Sequence, residues 1–97
     1  MAIGVLFEFP GVTQSQYDDT LKQLKPDGKF SKLADWPVGG VLAHVVGPSP
    51  SGWRVLDVWE SEAALSKFAA VLMPILKANG FPDIPPQIFP VHNFIKA

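Results

Sequence analysis

Residues 40–60 restrict the fold more than any other part of the sequence. Two apolar segments, residues 40–47 (GVLAHVVG) and 53–60 (WRVLDVWE), flank the turn-forming sequence Pro-Ser-Pro-Ser-Gly. This pattern is typical of two antiparallel strands joined by a turn. A half-exposed strand normally alternates apolar and polar residues, whereas these strands have few polar residues on either face. The sequence therefore predicts a sheet that needs cover on both sides.

The segment before this hairpin predicts a strand followed by a helix. Residues 3–9 (IGVLFEF) are rich in β-branched and aromatic side chains and end at a Pro-Gly turn. Thr13 then fits a helix N-cap, and Gln16 is correctly spaced to complete a capping box. One apolar stripe follows at helical spacing, formed by Tyr17, Leu21 and Leu24.

The segment after the hairpin predicts a second helix and a last strand. Ser61 fits the N-cap of a helix whose apolar stripe comprises Leu65, Phe68, Ala69, Leu72 and Leu76. Residues 87–95 (QIFPVHNFI) predict a strand that Pro90 restricts to a sheet edge or a bulge. The order is β-α-β-β-α-β, and 97 residues make one domain, residues 1–97. With right-handed crossovers, this order predicts an α+β ferredoxin-like sandwich, a four-stranded antiparallel sheet with both helices on one face.

The expected hairpin register pairs Gly47 with Trp53 and assigns residues to the two faces of the sheet. One face then carries Val41, Ala43, Val45, Trp53, Val55, Asp57 and Trp59. The other carries Leu42, His44, Val46, Arg54, Leu56, Val58 and Glu60. A bulge between residues 41 and 60 would move some of them between faces. Two helices cover only one face, and the other would leave two tryptophans and several valines in water. We therefore expect a homodimer that packs sheet face against sheet face.

Composition excludes several classes of function. A net charge of −1 with scattered lysines argues against a nucleic-acid partner. No segment approaches the roughly 18 apolar residues of a membrane span, and residues 1–9 lack the basic start of a signal peptide, so we expect a cytoplasmic protein. The chain has no cysteine and only two histidines. We therefore predict no metal site and no cofactor.

Asp57 is the most informative single residue. It lies in mid-strand between two apolar residues, and an unpaired buried carboxylate is costly. It either orients a ligand or a histidine, or makes a structural hydrogen bond. His44 and His92 are candidate general bases, because histidine normally titrates near neutrality. Each could equally be a structural donor in its strand.

Five further residues are candidates for ligand contact. Trp53, Trp59 and Phe68 could wall an aromatic pocket, although tryptophan is also common in cores and interfaces. Asn93 could position a polar group, provided that a bulge at Pro90 brings it beside His92. Arg54 could pair with a carboxylate ligand, but beside a turn it could simply be solvated.

A family resemblance follows from residues 52–64. The sequence Gly-Trp-Arg-Val, followed by Asp57-Val58-Trp59-Glu60-Ser61, resembles the dimeric α/β-barrel superfamily and within it the antibiotic-biosynthesis-monooxygenase-like group. Gly47-Pro48 and residues 90–93 (PVHN) are similar to small bacterial members. The resemblance implies a barrel shared by two subunits, with activities that include cofactor-free oxygenation of aromatic compounds and isomerisation.

Two functional hypotheses follow. In the first, the protein is a cofactor-free monooxygenase-like or isomerase-like enzyme that binds a small apolar or aromatic molecule between sheet and helices. His44 or His92 is then the base, and Asp57 and Asn93 position polar groups. In the second, it is a non-catalytic ligand-binding or stress-associated dimer in which the same residues satisfy the interface.

Overall fold

The computed structural model describes residues 2–95 and has the predicted order of elements. In chain order these are β1 (Ile3–Pro10), α1 (Gln14–Leu24), a 3₁₀ turn (Leu33–Asp35), β2 (Val41–Ser49), β3 (Gly52–Trp59), α2 (Glu62–Ala78) and β4 (Gln87–Pro90). The strands form one antiparallel sheet in the order β2-β3-β1-β4. This is the ferredoxin-like βαββαβ arrangement, and the predicted fold class is confirmed. Within residues 2–95, no helix has the length and apolar character needed to cross a membrane.

Both helices begin at the caps that the sequence indicates. The Thr13 hydroxyl accepts a hydrogen bond from the Gln16 backbone N–H at 3.3 Å, and the Gln16 side chain accepts from the Thr13 N–H at 3.0 Å. The Ser61 hydroxyl accepts from the Ala64 N–H at 3.1 Å. These bonds satisfy backbone donors that a helix leaves free in its first turn, and they fix where each helix leaves the sheet.

The predicted hairpin register is wrong by one residue. Ser49 pairs with Gly52, so the turn contains only two residues and Gly47 lies opposite Arg54 instead of Trp53. The strands continue through Pro48 because β2 is an edge strand, where a missing N–H is tolerated. A bulge between Val41 and Ala43 then returns Val41 to the side of its partner Trp59.

This register changes the composition of the two faces. The covered face, against the helices, carries Ile3, Val5, Phe7, Phe9, Val41, His44, Val46, Trp53, Val55, Asp57 and Trp59. The open face carries Leu6, Glu8, Ala43, Val45, Arg54, Leu56, Val58 and Phe89. His44 therefore lies on the same face as Asp57, which corrects the predicted assignment. The tryptophans of β3 are core residues, so the expectation that they would be left uncovered is also wrong.

The last strand is shorter than predicted. β4 ends at Pro90, which lies opposite Ile3, the first residue of β1. One more hydrogen bond joins the Val91 N–H to the Ala2 carbonyl at 3.0 Å. Residues 92–95 then leave the sheet, because β1 begins at Ile3 and offers them no further pairing partner. β4 is at the sheet edge, as Pro90 predicts.

Candidate functional site

Three elements bring three polar side chains together between the covered face and α1, where they form a continuous series of hydrogen bonds. Asp57 of β3 lies directly across from His44 of β2, and its Oδ1 is 2.5 Å from His44 Nδ1. The opposite ring nitrogen, His44 Nε2, is 2.7 Å from the hydroxyl of Tyr17 on α1. The sheet register thus orients the imidazole at one nitrogen, and α1 supplies its partner at the other.

Hydrogen-bond chemistry sets the direction of this chain. A carboxylate oxygen accepts, so His44 Nδ1 donates to Asp57. In the neutral imidazole Nε2 is then the acceptor, and the Tyr17 hydroxyl donates to it. The Tyr17 hydroxyl thus donates its proton to His44, and its oxygen can still accept a hydrogen bond from a ligand.

The hydrogen-bonded groups Asp57, His44 and Tyr17 are largely shielded from solvent. Asp57 is 4% exposed, and the side chains of His44 and Asp57 are 17% and 6% exposed. Burial is the main cause that raises the pKa of Tyr17 above its usual range, and the negative charges of Asp57 and Asp18 add to the rise. Tyr17 is therefore a neutral hydroxyl at physiological pH.

A cavity of about 50 Å³ lies between the covered face and the two helices, next to these groups. Its wall includes Tyr17, His44 and Asp57 and is otherwise largely aromatic and aliphatic, formed by Phe7, Phe9, Thr20, Leu21, Leu24, Phe30, Trp36, Val55, Phe68, Leu72, Leu76 and Phe81. Among the described residues that line it, none is a lysine or arginine. The cavity thus has the kind of lining found in small-molecule sites, an apolar wall with a polar corner, at a much smaller volume.

The connection between α1 and β2 closes one side of the cavity. We call residues 29–40 the cover segment. The Trp36 ring meets the His44 ring edge to face at a centroid distance of 4.8 Å, and the Phe30 ring meets Trp36 in the same way at 5.0 Å. The cover segment therefore places an indole ring directly on the imidazole that carries the polar chain.

A polar clasp holds α1 against the end of α2. The backbone carbonyl of Asn79 accepts from the Gln16 side chain at 3.1 Å, and its amide oxygen accepts from Gln23 at 3.0 Å. The Asn79 amide nitrogen donates to the buried Thr20 hydroxyl at 3.1 Å. Tyr17 is therefore carried by a helix that is anchored along its length.

The predicted site residues separate into three groups. His44, Asp57 and Phe68 line the cavity. Trp53 and Trp59 lie behind its wall, Trp53 at 5.3 Å from the Tyr17 ring and Trp59 at 5.1 Å from the Phe68 ring. The remaining three, Arg54, His92 and Asn93, are exposed and lie outside the wall.

Sequence reasoning missed two residues of the site. Tyr17 belongs to the apolar stripe that predicts α1, although its hydroxyl makes it the polar member of that stripe. A hydroxyl on an inward-facing stripe needs a buried partner, and this was the available signal. Trp36 lies in a segment with no readable periodicity, so nothing in the sequence placed it beside His44.

Arg54 pairs within the protein. It lies on the open face, where its Nε donates to Glu8 at 2.7 Å. Its guanidinium is the main cause that holds the pKa of the Glu8 carboxyl down at about 2. Within residues 2–95, histidine and carboxylate side chains form no group of three that could hold a metal ion.

The sequence matches no protein-family model and no curated protein. Among solved structures, the chain is similar to a Bordetella bronchiseptica protein provisionally assigned as an antibiotic biosynthesis monooxygenase, with a TM-score of 0.51 and 15% sequence identity. The likeness covers 97% of this chain and 96% of that one. At this identity the likeness concerns the fold, and it agrees with the resemblance found in residues 52–64. The chain thus has the ferredoxin-like βαββαβ fold of that monooxygenase-like structure.

Proposed function

We propose that this protein is an enzyme that removes a proton from a small, neutral, aromatic or apolar substrate. The observation that carries the proposal is the hydrogen-bonded set Asp57–His44–Tyr17, which lies at a polar corner of a largely apolar cavity. An oriented imidazole beside a hydroxyl is the arrangement of a general base acting through that hydroxyl.

The proton path follows from the direction of the hydrogen bonds. The Tyr17 oxygen accepts the proton of the substrate as its own proton passes to His44 Nε2. Asp57 stabilises the resulting imidazolium through Nδ1. The electron pair left on the substrate is delocalised onto its own carbonyl oxygen. The raised pKa of Tyr17 favours concerted transfer of the two protons, because a free tyrosinate is costly in this environment.

The apolar wall sets the class of substrate. The carboxylate of Asp57 and the lack of lysine or arginine among the described lining residues disfavour an anionic ligand. The aromatic rings of the wall suit a planar ring with one enolisable carbonyl or acidic hydroxyl. A carbanion of this kind can isomerise, or it can react with oxygen without a cofactor, and we propose one of these two outcomes for the reaction.

Carbon-acid exchange tests the proposal directly. We expect the protein to accelerate deuterium uptake by 2-tetralone in D₂O, followed by proton NMR. His44→Gln and Asp57→Asn should lose most of this acceleration, while Glu8→Gln, a carboxylate change on the open face, should keep it. Exchange that is equal in all four proteins would contradict the proposal.

Oxygen consumption separates the two outcomes. Anthrone carries an acidic CH₂ group, and its oxygenation by one O₂ gives anthraquinone and one water. Oxygen uptake that depends on His44 favours the monooxygenase-like reaction. Deuterium exchange into the ring ketone without oxygen uptake favours the isomerase-like reaction.

A non-catalytic ligand-binding protein is the second candidate, and one observation favours it. Both ring nitrogens of His44 already have partners within the protein, which is also how a structural histidine is satisfied. In that case 2-tetralone binding, measured by calorimetry, should persist without deuterium uptake above the rate seen for His44→Gln.

The open face supports the proposal that the protein is a homodimer. Val45 is 62% exposed, Phe89 47% and Leu56 37%, and these side chains share one side of the sheet. The ring of Phe89 lies over Gly4, where a β-carbon would have no room. We propose that a second copy covers this face. Sedimentation should give a dimer, and Leu56→Asp should give a monomer.

A further inference from the structure

We propose that Trp36 occupies the position of the ligand's ring in the closed protein, and that a ligand enters by displacing the cover segment. The inference depends on the proposed function only in taking the cavity as a ligand site. It makes Trp36 a gating residue, distinct from the groups that handle the proton.

The size of the cavity is the first step. An apolar cavity that holds benzene has a volume of about 150 Å³. The space beside His44 is about 50 Å³, too small for one aromatic ring. A ring can therefore reach Tyr17 and His44 only when part of the wall moves away.

Trp36 is the wall residue whose removal gives the required space. Its indole ring already makes an edge-to-face contact with His44, the kind of contact an aromatic ligand would make there. An indole is larger than a benzene ring, so the volume it leaves accepts a single-ring or fused-ring ligand. Trp53 and Trp59 are buried, whereas Trp36 is partly exposed.

The cover segment is built to move as one piece. Asp35 accepts hydrogen bonds from the Ser31 and Lys32 backbone N–H groups and from the Lys25 side chain, at 2.9, 3.2 and 3.2 Å. All three donors lie within the cover segment or at the end of α1, so they preserve the shape of the segment without tying it to the sheet. Apolar contacts of Phe30, Trp36 and Val38 attach the segment to the cavity and core. Its last residue, Gly40, is fixed to the end of β3, because its carbonyl accepts from the Glu60 N–H at 2.8 Å.

Glycines lie at both ends of the cover segment. Gly28 has a φ of +64°, a region that other residues rarely adopt, and Gly39 has open space where a β-carbon would lie. Gly40, with a φ of +105°, packs against Ala64 and Glu60 and stays with the sheet. Short connections of this kind absorb the backbone rotation of a hinged loop. α1, in contrast, is bonded to the end of α2 through Asn79, so its displacement would break three hydrogen bonds.

Fluorine NMR tests the displacement without any need for turnover. The chain has three tryptophans, so 5-fluorotryptophan labelling gives three resonances, and Trp36→Phe identifies one of them. Saturation with 2-naphthol should move the Trp36 resonance towards that of a solvent-exposed indole and shift the Trp53 and Trp59 resonances less. Bound 2-naphthol with an unchanged Trp36 resonance would overturn the proposal.

Binding by variants gives the second measurement. If the closed state blocks the site for most of the time, Trp36→Ala should bind 2-naphthol about tenfold more tightly, because the displacement cost is removed. Phe94→Ala, an exposed aromatic beyond β4 and outside the cavity wall, is the matched control and should bind as the unaltered protein does. Weaker binding by folded Trp36→Ala would show that Trp36 is a wall the ligand needs, and would overturn the proposal.

A milder variant covers the case in which Trp36→Ala does not fold. Asp35→Asn weakens the bonds that shape the cover segment and should speed 2-naphthol association, measured by stopped flow. Asp19→Asn, an exposed carboxylate on α1, is its control. Equal association rates would count against the cover segment as the entrance. Failure of deuterium exchange with a displaced Trp36 would contradict the proposed reaction and leave the entrance intact.

Discussion

Two cross-strand pairs on β3 use similar chemistry in opposite environments. Asp57 pairs with His44 on the covered face, and Arg54, three residues earlier, pairs with Glu8 on the open face. In the first pair the side chain of Asp57 is 6% exposed and that of His44 is 17% exposed. In the second pair the side chain of Arg54 is 54% exposed and that of Glu8 is 36% exposed. Water screens the exposed pair and can replace either partner, whereas the buried pair has no such replacement. The difference explains why the covered face holds its histidine in a more fixed orientation than the open face holds its arginine.

Removal of one buried partner should have the largest effect on stability. Asp57→Ala leaves the His44 Nδ1–H without an acceptor in an apolar site, so we expect the free energy of unfolding to fall by about 1–3 kcal/mol. Glu8→Ala is the control on the open face and should barely move the midpoint of urea unfolding. Similar losses in both variants would contradict the contrast between the two faces.

Apolar replacement of all three hydrogen-bonded groups should recover most of that loss. Combined His44→Leu, Asp57→Leu and Tyr17→Phe removes the Tyr17 hydroxyl together with its partner, so no unpaired polar group is left there. The unfolding free energy should then lie within about 1 kcal/mol of that of the unaltered protein. The triple variant should have no carbon-acid exchange activity. A triple variant as unstable as Asp57→Ala would mean that these polar groups are needed for folding itself.

Tyr17 gives a pH test of the buried chain, since it is the single tyrosine. Its folded pKa is raised, first by burial and then by Asp57, so folding favours the neutral phenol. The stabilisation is complete below the ordinary tyrosine pKa of about 10 and is lost as pH rises from there towards the folded pKa. In a pH titration, the ultraviolet absorbance of tyrosinate should therefore appear at a higher pH than it does for free tyrosine. Titration at the ordinary value would show that Tyr17 is exposed to solvent.

The exposed pair of Glu8 and Arg54 should have the smallest effect on stability, and this effect should be seen at acidic pH. The Glu8 pKa of about 2 is lowered chiefly by its hydrogen bond to Arg54. The contribution of the pair is present above the ordinary glutamate pKa of about 4.3 and is lost as pH falls through the folded value. Carbon NMR of the Glu8 carboxyl should show the pKa rising in Arg54→Gln. High salt should reproduce part of this rise.

Local signals were sufficient to predict the fold. The capping residues Thr13 and Ser61 and the two apolar stripes act within a few residues of one another, so the sequence shows them directly. The edge position of β4 follows from the missing N–H of Pro90 in the same way. These signals do not depend on how distant segments meet.

The site depends on distant segments, and sequence reasoning failed there. The sequence around Pro48 and Pro50 allows turns of different length, and a shift of one residue transfers every side chain of a strand to the other face. That shift separated His44 from Asp57 in the predicted register. The contact with Tyr17 also depends on how α1 packs on the sheet. No pattern in the sequence indicates which residues of the helix lie opposite which residues of the sheet.

The clasp at Asn79 has a consequence for how the site works. Because three side chains of α1 bond to Asn79 at the end of α2, the hydroxyl of Tyr17 would keep its position on His44 in the proposed opening of the cover segment. The polar groups are therefore set before any ligand arrives, and the rearrangement falls on the apolar part of the wall. Such a division keeps the reacting geometry preorganised and leaves the choice of ligand to the shape of one mobile segment. New specificities could then arise by substitution in residues 29–40 with no change to the proton path.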